Sequence, residues 1–387
     1  QYGRDHDFAY YDVTNYYFEI DGEDELRRRG PSKEHRPNPI IQMGLLLDSR
    51  GLPLAYHLFP GNQSEKRSLN PLLNRLKEDY GLGRLVVVAD KGLNCGDNIA
   101  CQLAQGNGYI YSQSIRGADQ EFKQFVLDPA GYQKNGEHSK VKSRVYPKEI
   151  RFTDAQGKKQ KIRVDQKQVV FYSQDYADKA RYERNRTVAK ARRYLRSPSN
   201  LNLALAYSAA SYIKGVQYDK NGEIIETKST LYLDEAKIRE EEQFDGYYAI
   251  VTSELDKTDA EIIEAYHGLW KIEESFKISK SDLRTRPIYV SLEAHIEAHF
   301  LTCFVALLFS RVLELRMNNA QTGRSFSAVE LLESLRRYTC SHVSENIYSF
   351  HYTDDVIQQI DKVFGIDLNK RFRKRGDIRK FIASMKK

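Results

Sequence analysis

Five consecutive apolar residues, Leu85–Ala89 (LVVVA), run directly into Asp90, Lys91 and Gly92. The run is too short for an ordinary helix, and without alternation it reads as a strand covered on both faces. Such a strand needs sheet neighbours on either side and helices above and below, so the chain must fold as layered α/β.

The flanking segments supply those neighbours. Tyr10–Ile20 (YYDVTNYYFEI), Pro39–Asp48 (PIIQMGLLLD) and Leu52–Phe59 (LPLAYHLF) are rich in residues that favour a pleated surface. Ser49, Arg50 and Gly51 form a tight turn between the last two, so the three make an antiparallel meander. Leu69–Tyr80 carries Leu69, Leu72, Leu73 and Leu76 at helical spacing and stops at Gly81. A short helix over Asp97–Gln105 and a strand over Tyr109–Ile115 complete a sequence of three strands, helix, strand, helix, strand.

From about Asp119 to Asp245 the texture changes. Hairpin signals stand at Asp154–Lys158 (DAQGK) and Asp219–Gly222 (DKNG), flanked by alternating stretches such as Gln168–Tyr172 and Ile224–Thr227. Lys179–Arg196 is a basic helix ended by Ser197 and Pro198. The net charge of the whole chain is only +7, too small to name a partner. Its distribution says more, because Arg116–Arg196 holds 21 basic against 10 acidic residues. An acidic stretch, Asp234–Asp245, partly offsets this before a strand at Tyr247–Thr252.

The last third reads as helical. Thr258 and Glu261 form a capping box that opens a helix running to about Lys280. A strongly apolar helix follows over His295–Leu315, then shorter ones over Phe326–Tyr338 and Asp354–Phe364. The longest unbroken apolar stretches, such as Phe304–Phe309, fall far short of the ~20 residues that cross a bilayer, so no membrane partner is expected. Cys95, Cys101, Cys303 and Cys340 form no CxxC pair and read as core residues of a protein from a reducing compartment. The chain starts at Gln1 with its first strand almost at once, as expected of a fragment lacking an upstream segment.

Three carboxylates stand where an acid is locally unusual. Asp12 interrupts an aromatic strand, Asp90 closes the apolar run beside Gly92, and Glu273 lies on the late helix with Tyr266, Leu269, Phe276 and Lys280 within about one face. On that spacing Glu273 points inward. Each has a plainer reading: an Asp at a strand mouth also serves as a turn cap or surface acid, and Glu273 beside Glu274 also suits a solvated helix face. His295 and His299 flank Glu297 as HIEAH, which is not H-E-x-x-H, and read as polar positions on a packed helix. Trp270 reads as core, and Gly106–Gly108 as a turn rather than a nucleotide loop.

The order of elements and the three acids together resemble the DDE transposases of bacterial insertion sequences, in the group marked by a Tyr, Arg, Glu, Lys signature with two, three and six residues between members. Tyr266, Leu269, Glu273 and Lys280 occupy those positions in AYHGLWKIEESFKISKSDL, with Leu269 in place of the Arg. Asp12 in YYDVTNYYFE and Asp90 in VVVADKGL match the two aspartates, and PGNQS at Pro60–Ser64 also looks like this group. The resemblance covers about Phe8–Leu315.

It implies a ribonuclease H-like mixed sheet flanked by helices, with a β-rich insertion before the last catalytic helix and a helical C-terminal part. The expected division is a first core part over 1–118, a basic insertion over 119–257, the catalytic helix and its successor over 258–316, and a helical region over 317–387. Asp12, Asp90 and Glu273 are then the catalytic residues and the ligands of two Mg²⁺ ions, which Mn²⁺ could replace. The implied partner is double-stranded DNA, bound by a homodimer of a cytoplasmic, nucleoid-associated bacterial protein with endonuclease and strand-transfer activity. Tyr266 and Lys280 are the expected phosphate contacts near the cut, with Lys271, Lys277 or Arg286 as substitutes for the missing Arg. Arg184, Arg186, Arg192, Arg193 and Arg196 are candidates for the DNA backbone, and Tyr172 and Tyr182 for stacking on a base. Two other readings stay open: a DNA-binding protein of the same fold without activity, and a carboxylate-pair hydrolase acting on sugars.

Overall fold

The structure, a computed structural model, describes residues 8–19, 21–31, 37–80, 83–154, 156–196, 209–214, 217–218, 224–225, 231–320 and 322–384. The meander forms as expected, with β1 (Phe8–Tyr17), β2 (Ile40–Asp48) and β3 (Pro53–Pro60), followed by α1 (Leu69–Tyr80). The apolar run becomes β4 (Val86–Ala89), then α2 (Gly96–Ala104), β5 (Gly108–Ser112) and α3 (Gln120–Leu127). β1, β4 and β5 are parallel neighbours, while β2 and β3 add antiparallel at the β1 edge. All four residues of β4 are buried, which is what the unbroken apolar run requires.

The alternation of β1 divides the core in two. Ala9, Tyr11 and Val13 join a cluster with Leu69, Leu73 and Ile99 from α1 and α2 on one sheet face. Tyr10 and Tyr16 join the cluster on the other face, with Val86, Val88, Ile110, Ile262, Ile272, Phe276 and Phe300. Asp12 and Thr14 share the parity of Tyr10 and Tyr16, so they lie on this second face.

Part of segment 119–257 joins the sheet, and four of its short strands pair separately as two small ribbons. β6 (Gln133–Lys134), β7 (Ser139–Thr153) and β8 (Lys159–Ser173) follow, and the expected DAQGK signal closes the long β7–β8 hairpin between Thr153 and Lys159. α4 (Gln174–Arg196) is the basic helix; its expected Ser197–Pro198 stop and the DKNG turn lie outside the described residues. Four two-residue strands, β9 (Ile213–Lys214), β10 (Gln217–Tyr218), β11 (Ile224–Ile225) and β12 (Tyr232–Leu233), lead to α5 (Glu235–Glu242) and β13 (Tyr247–Thr252). β13 pairs with β5 on one side and β8 on the other, giving nine strands in the order β3-β2-β1-β4-β5-β13-β8-β7-β6. The segment therefore widens the sheet. The far end of its hairpin packs on α2, where a Cβ on Gly96 would lie 1.8 Å from the carbonyl oxygen of Arg151.

The single late helix expected from Thr258 to Lys280 is three pieces. Thr258 makes the capping box and opens α6 (Asp259–His267), Gly268 and Leu269 interrupt, α7 spans Trp270–Lys277, and a π-helical turn covers Ile278–Asp282. Only glycine fits at 268, since a Cβ there would sit 2.0 Å from the Tyr10 hydroxyl. α8 (Glu293–Asn319) is long and apolar enough to cross a membrane on composition alone, which single apolar runs did not reveal. It instead buries Ile296, Phe300 and Leu307 against the sheet.

Beyond α8 the region is not purely helical. α9 (Ala328–Arg337), α10 (Asp355–Phe364) and α11 (Arg375–Ser384) pack around a three-stranded sheet of β14 (Cys340–Ser344), β15 (Ile347–Phe350) and β16 (Phe372–Lys374). The four cysteines are free and none is fully buried; Cys340 is exposed, against the core reading.

Replacing Gly96 by Ala should lower thermal stability by about 1–3 kcal/mol, because the added methyl meets backbone that cannot rotate away. An unchanged unfolding midpoint for Gly96→Ala would show that the hairpin is not pinned to α2 at this point.

Candidate active site

The two aspartates meet through strand register. Phe8, Ala9 and Tyr10 pair with Val86, Val87 and Val88, so the same parallel register carried two residues further sets Asp12 beside Asp90. Adjacent strands stand about 4.8 Å apart, and paired residues share a face. Asp12 is half-buried, and its Oδ1 accepts the Val13 N–H at 2.7 Å. Asp90 follows the end of β4, where Lys91–Leu93 turn sharply and leave its side chain exposed.

Asp90 is held by hydroxyls. Ser112 Oγ, at the end of β5, donates to Asp90 Oδ1 at 2.6 Å, and the Tyr266 hydroxyl lies 3.4 Å from the same oxygen. Tyr266 in turn shares a 2.6 Å hydrogen bond with the Tyr248 hydroxyl. Burial, and then the neighbouring Tyr248, push the Tyr266 phenol well above its ordinary range, and burial raises that of Tyr248. Both therefore stay protonated and able to donate at neutral pH. Ser112 and Tyr248 were not singled out in the sequence; the only available signal was that Ser112 shares the parity of Ile110 in a strand facing the same core.

Glu273 sits on α7 beside the buried stripe of Ile272, Ser275 and Phe276, and its carboxylate is exposed rather than turned inward. Among the described residues it makes no side-chain hydrogen bond or ion pair. The chain on either side of it is tied to the aspartates' surroundings. Tyr266, seven residues earlier, reaches Asp90; Lys280, seven residues later, donates to Thr14 Oγ1 at 2.5 Å, two residues beyond Asp12 on the same strand face. Among the described residues no three His, Cys, Asp or Glu side chains stand close enough to hold one metal ion together. The register thus directs Asp12 and Asp90 to one sheet face, and α7, which packs on that face, carries Glu273 with its carboxylate exposed.

Leu269, in the signature Arg position, packs against the core. Of its suggested substitutes, Lys271 donates to the Ser49 carbonyl at 2.5 Å, Lys277 is exposed, and Arg286 lies within electrostatic reach of buried Tyr16. A different arginine grips α7 from behind. Arg311 of α8, buried, bonds Glu274 at 2.8 Å, Glu314 at 2.7 Å, Ser275 Oγ at 2.9 Å and the Lys271 carbonyl at 3.1 Å. Sequence reasoning missed it because its partners come from a helix some 40 positions earlier.

Trp270 is 57% exposed and not core, since it opens α7 on the side away from the buried stripe. His299 Nε2 lies 2.9 Å from the Thr285 carbonyl and His295 is exposed, in keeping with polar positions on a packed helix. Tyr172 packs its ring 5.0 Å from that of Tyr247, whereas Tyr182 is exposed.

The basic helix α4 divides its arginines. Arg186, Arg192, Arg193 and Arg196 are exposed, with Arg192 only 3.8 Å from Glu235. Arg184 is the exception to the surface reading: it is 5% exposed, pairs with buried Asp245 and lies 3.3 Å from Glu242. Its charge serves the joint between α4 and the α5–β13 turn and is not offered to a phosphate.

The family model described as the transposase DDE domain matches residues 20–309, well over half of the chain. Asp90 and Glu273 lie inside the match, and Asp12 precedes it. No curated protein matches the chain. The family match sets the kind of function, transposase, and the partner, DNA.

Arg184→Ala should cost about 3 kcal/mol of stability, because it breaks a buried ion pair and leaves Asp245 only the more exposed Arg116, 3.6 Å away. Thermal unfolding checks this; a variant as stable as the parent with weakened DNA binding would instead return Arg184 to the surface set.

Proposed function

The chain belongs to the transposase DDE-domain family, and from that premise we propose that it is the catalytic part of a cut-and-paste transposase of the Tyr-Arg-Glu-Lys group. In this reading it cleaves DNA strands at insertion-sequence ends and joins the freed ends to a target. The supporting observation is the common register of Asp12 and Asp90 on the sheet face crossed by the helix that bears Glu273.

Asp12, Asp90 and Glu273 would hold two Mg²⁺ ions, with Mn²⁺ able to substitute. The donor set fits: carboxylate oxygens without histidine or cysteine suit a hard divalent ion better than zinc. Bound there, such a pair activates an attacking oxygen and stabilises a leaving one. The protein's own residues place the reactants. Asp12 and Asp90 form a fixed pair on adjacent strands, and the exposed Glu273 side chain turns toward them as DNA enters. Lys280 and Tyr266 lie on either side of Glu273 in the chain and contact phosphate next to the cut. Water attacks the first phosphodiester, leaving a 3′-OH on one side of the cut and a 5′-phosphate on the other; the 3′-OH then attacks a target phosphodiester, whose own 3′-oxygen leaves as the new bond forms.

Arg186, Arg192, Arg193 and Arg196 carry the DNA backbone along α4, where each neutralised phosphate releases counterions. The active species is a homodimer on paired DNA ends in the bacterial cytoplasm.

Asp90→Ala should reduce Mg²⁺-dependent strand cleavage roughly a thousandfold or more, as loss of one member of a catalytic unit does elsewhere. Near-normal cleavage by this variant, or cleavage that persists in a chelator, would refute the two-metal reading. Reversing Arg192 and Arg193 to Glu should weaken DNA binding and reduce the slope of log affinity against log salt by about 2. Binding isotherms that match the parent at every salt concentration would make α4 a merely solvated helix.

A further inference from the structure

Asp90 stands at an exposed position, and a carboxylate there rotates easily about its last torsion, presenting either oxygen to a cation. Here one oxygen is already taken. Ser112 Oγ donates to Oδ1 at 2.6 Å, within the range of a hydrogen bond strengthened by an ionised acceptor. Tyr266, backed by Tyr248, approaches the same oxygen from α6. Among the described residues Oδ2 accepts no hydrogen bond.

The donor is rigid where the acceptor is not. Ser112 is 2% exposed and ends a strand flanked on both sides, paired with Ile250 across β13 and lying on the chain beside β4. Its carbonyl accepts from Asn94 Nδ2 at 2.9 Å, which ties the loop after Asp90 to the same residue. One serine thus anchors both the carboxylate and the turn that presents it.

We propose that Ser112 is a positioning residue for strand cleavage, turning Asp90 so that Oδ1 faces the protein and Oδ2 is the oxygen offered to a divalent cation. The role rests on the two-metal reading given above and deepens it, assigning a part to a side chain outside the family signature. A purely structural hydroxyl would affect stability alone. A positioning hydroxyl affects the affinity of the site for metal, because an unrestrained carboxylate must be ordered again each time an ion binds.

The test uses the full chain without DNA and Mn²⁺ alone as probe, with free Mn²⁺ read by electron paramagnetic resonance. Ser112→Ala should raise the Mn²⁺ dissociation constant about tenfold and raise the Mg²⁺ concentration for half-maximal cleavage by a similar factor. Ser112→Thr keeps the hydroxyl and should restore both. Should the added methyl prevent folding in this buried place, Ser112→Ala decides alone. Parental Mn²⁺ affinity in Ser112→Ala overturns the proposal, as does a loss of cleavage with metal affinity unchanged. Asp90→Ala measured alongside separates the two readings. If it loses Mn²⁺ while Ser112→Ala does not, only the role of Ser112 fails; if Asp90→Ala also binds Mn²⁺ like the parent, the carboxylate site itself fails.

Discussion

The parallel pairing of β1 with β4 is the constraint on which the rest depends. Three residue pairs, from Phe8 with Val86 to Tyr10 with Val88, set a register that brings together two acids 78 positions apart in the chain. A slip of one residue would turn Asp12 to the opposite face, against α1 and α2, and carry Ala9, Tyr11 and Val13 out of the core they fill there. The apolar character of both faces is what prevents the slip. Tyr10 and Tyr16 fill one core and Tyr11 and Val13 the other, so any shift would exchange matched packing on both sides at once.

The helix carrying the third acid is positioned by packing rather than by its own continuity. Gly268 lets α6 end against Tyr10, and α7 restarts at Trp270. Tyr266 before the break and Lys280 after α7 each reach the strands that bear the aspartates. From the other side, Arg311 satisfies two glutamates, a serine and a backbone carbonyl. Buried and multiply bonded, it fixes the seating of α7 on α8 and leaves the opposite, exposed side of α7 for Glu273 and Trp270.

The basic middle segment shows how charge read along a chain differs from charge on a surface. Arg184 and its neighbours look alike in the sequence, yet Asp245, some 60 positions later, takes Arg184 into the interior. Periodicity separates a helix face from its reverse, but not a basic residue that meets an acid from one that meets water. The β character of this segment was legible because alternation and turn residues are local signals, and the β7–β8 hairpin closes at the DAQGK turn. That β13 and β8 would extend the sheet from β5 was not, since edge pairing depends on which strand lies free after the core has formed.

Local pattern in the chain is enough for the layered fold, the meander, the buried central strand and the capped start of the late helix. All of these are written in short-range patterns of apolarity, alternation and capping, which act within a few residues. Only the tertiary structure decided that Ser112, Tyr248 and Tyr266 converge on Asp90, that Arg311 rather than a signature arginine holds α7, and that Trp270 faces outward. Those outcomes depend on contacts between distant segments and on the phase of a broken helix. A two-residue interruption at Gly268 and Leu269 divides that helix, and a linear count of 100° steps cannot foresee it.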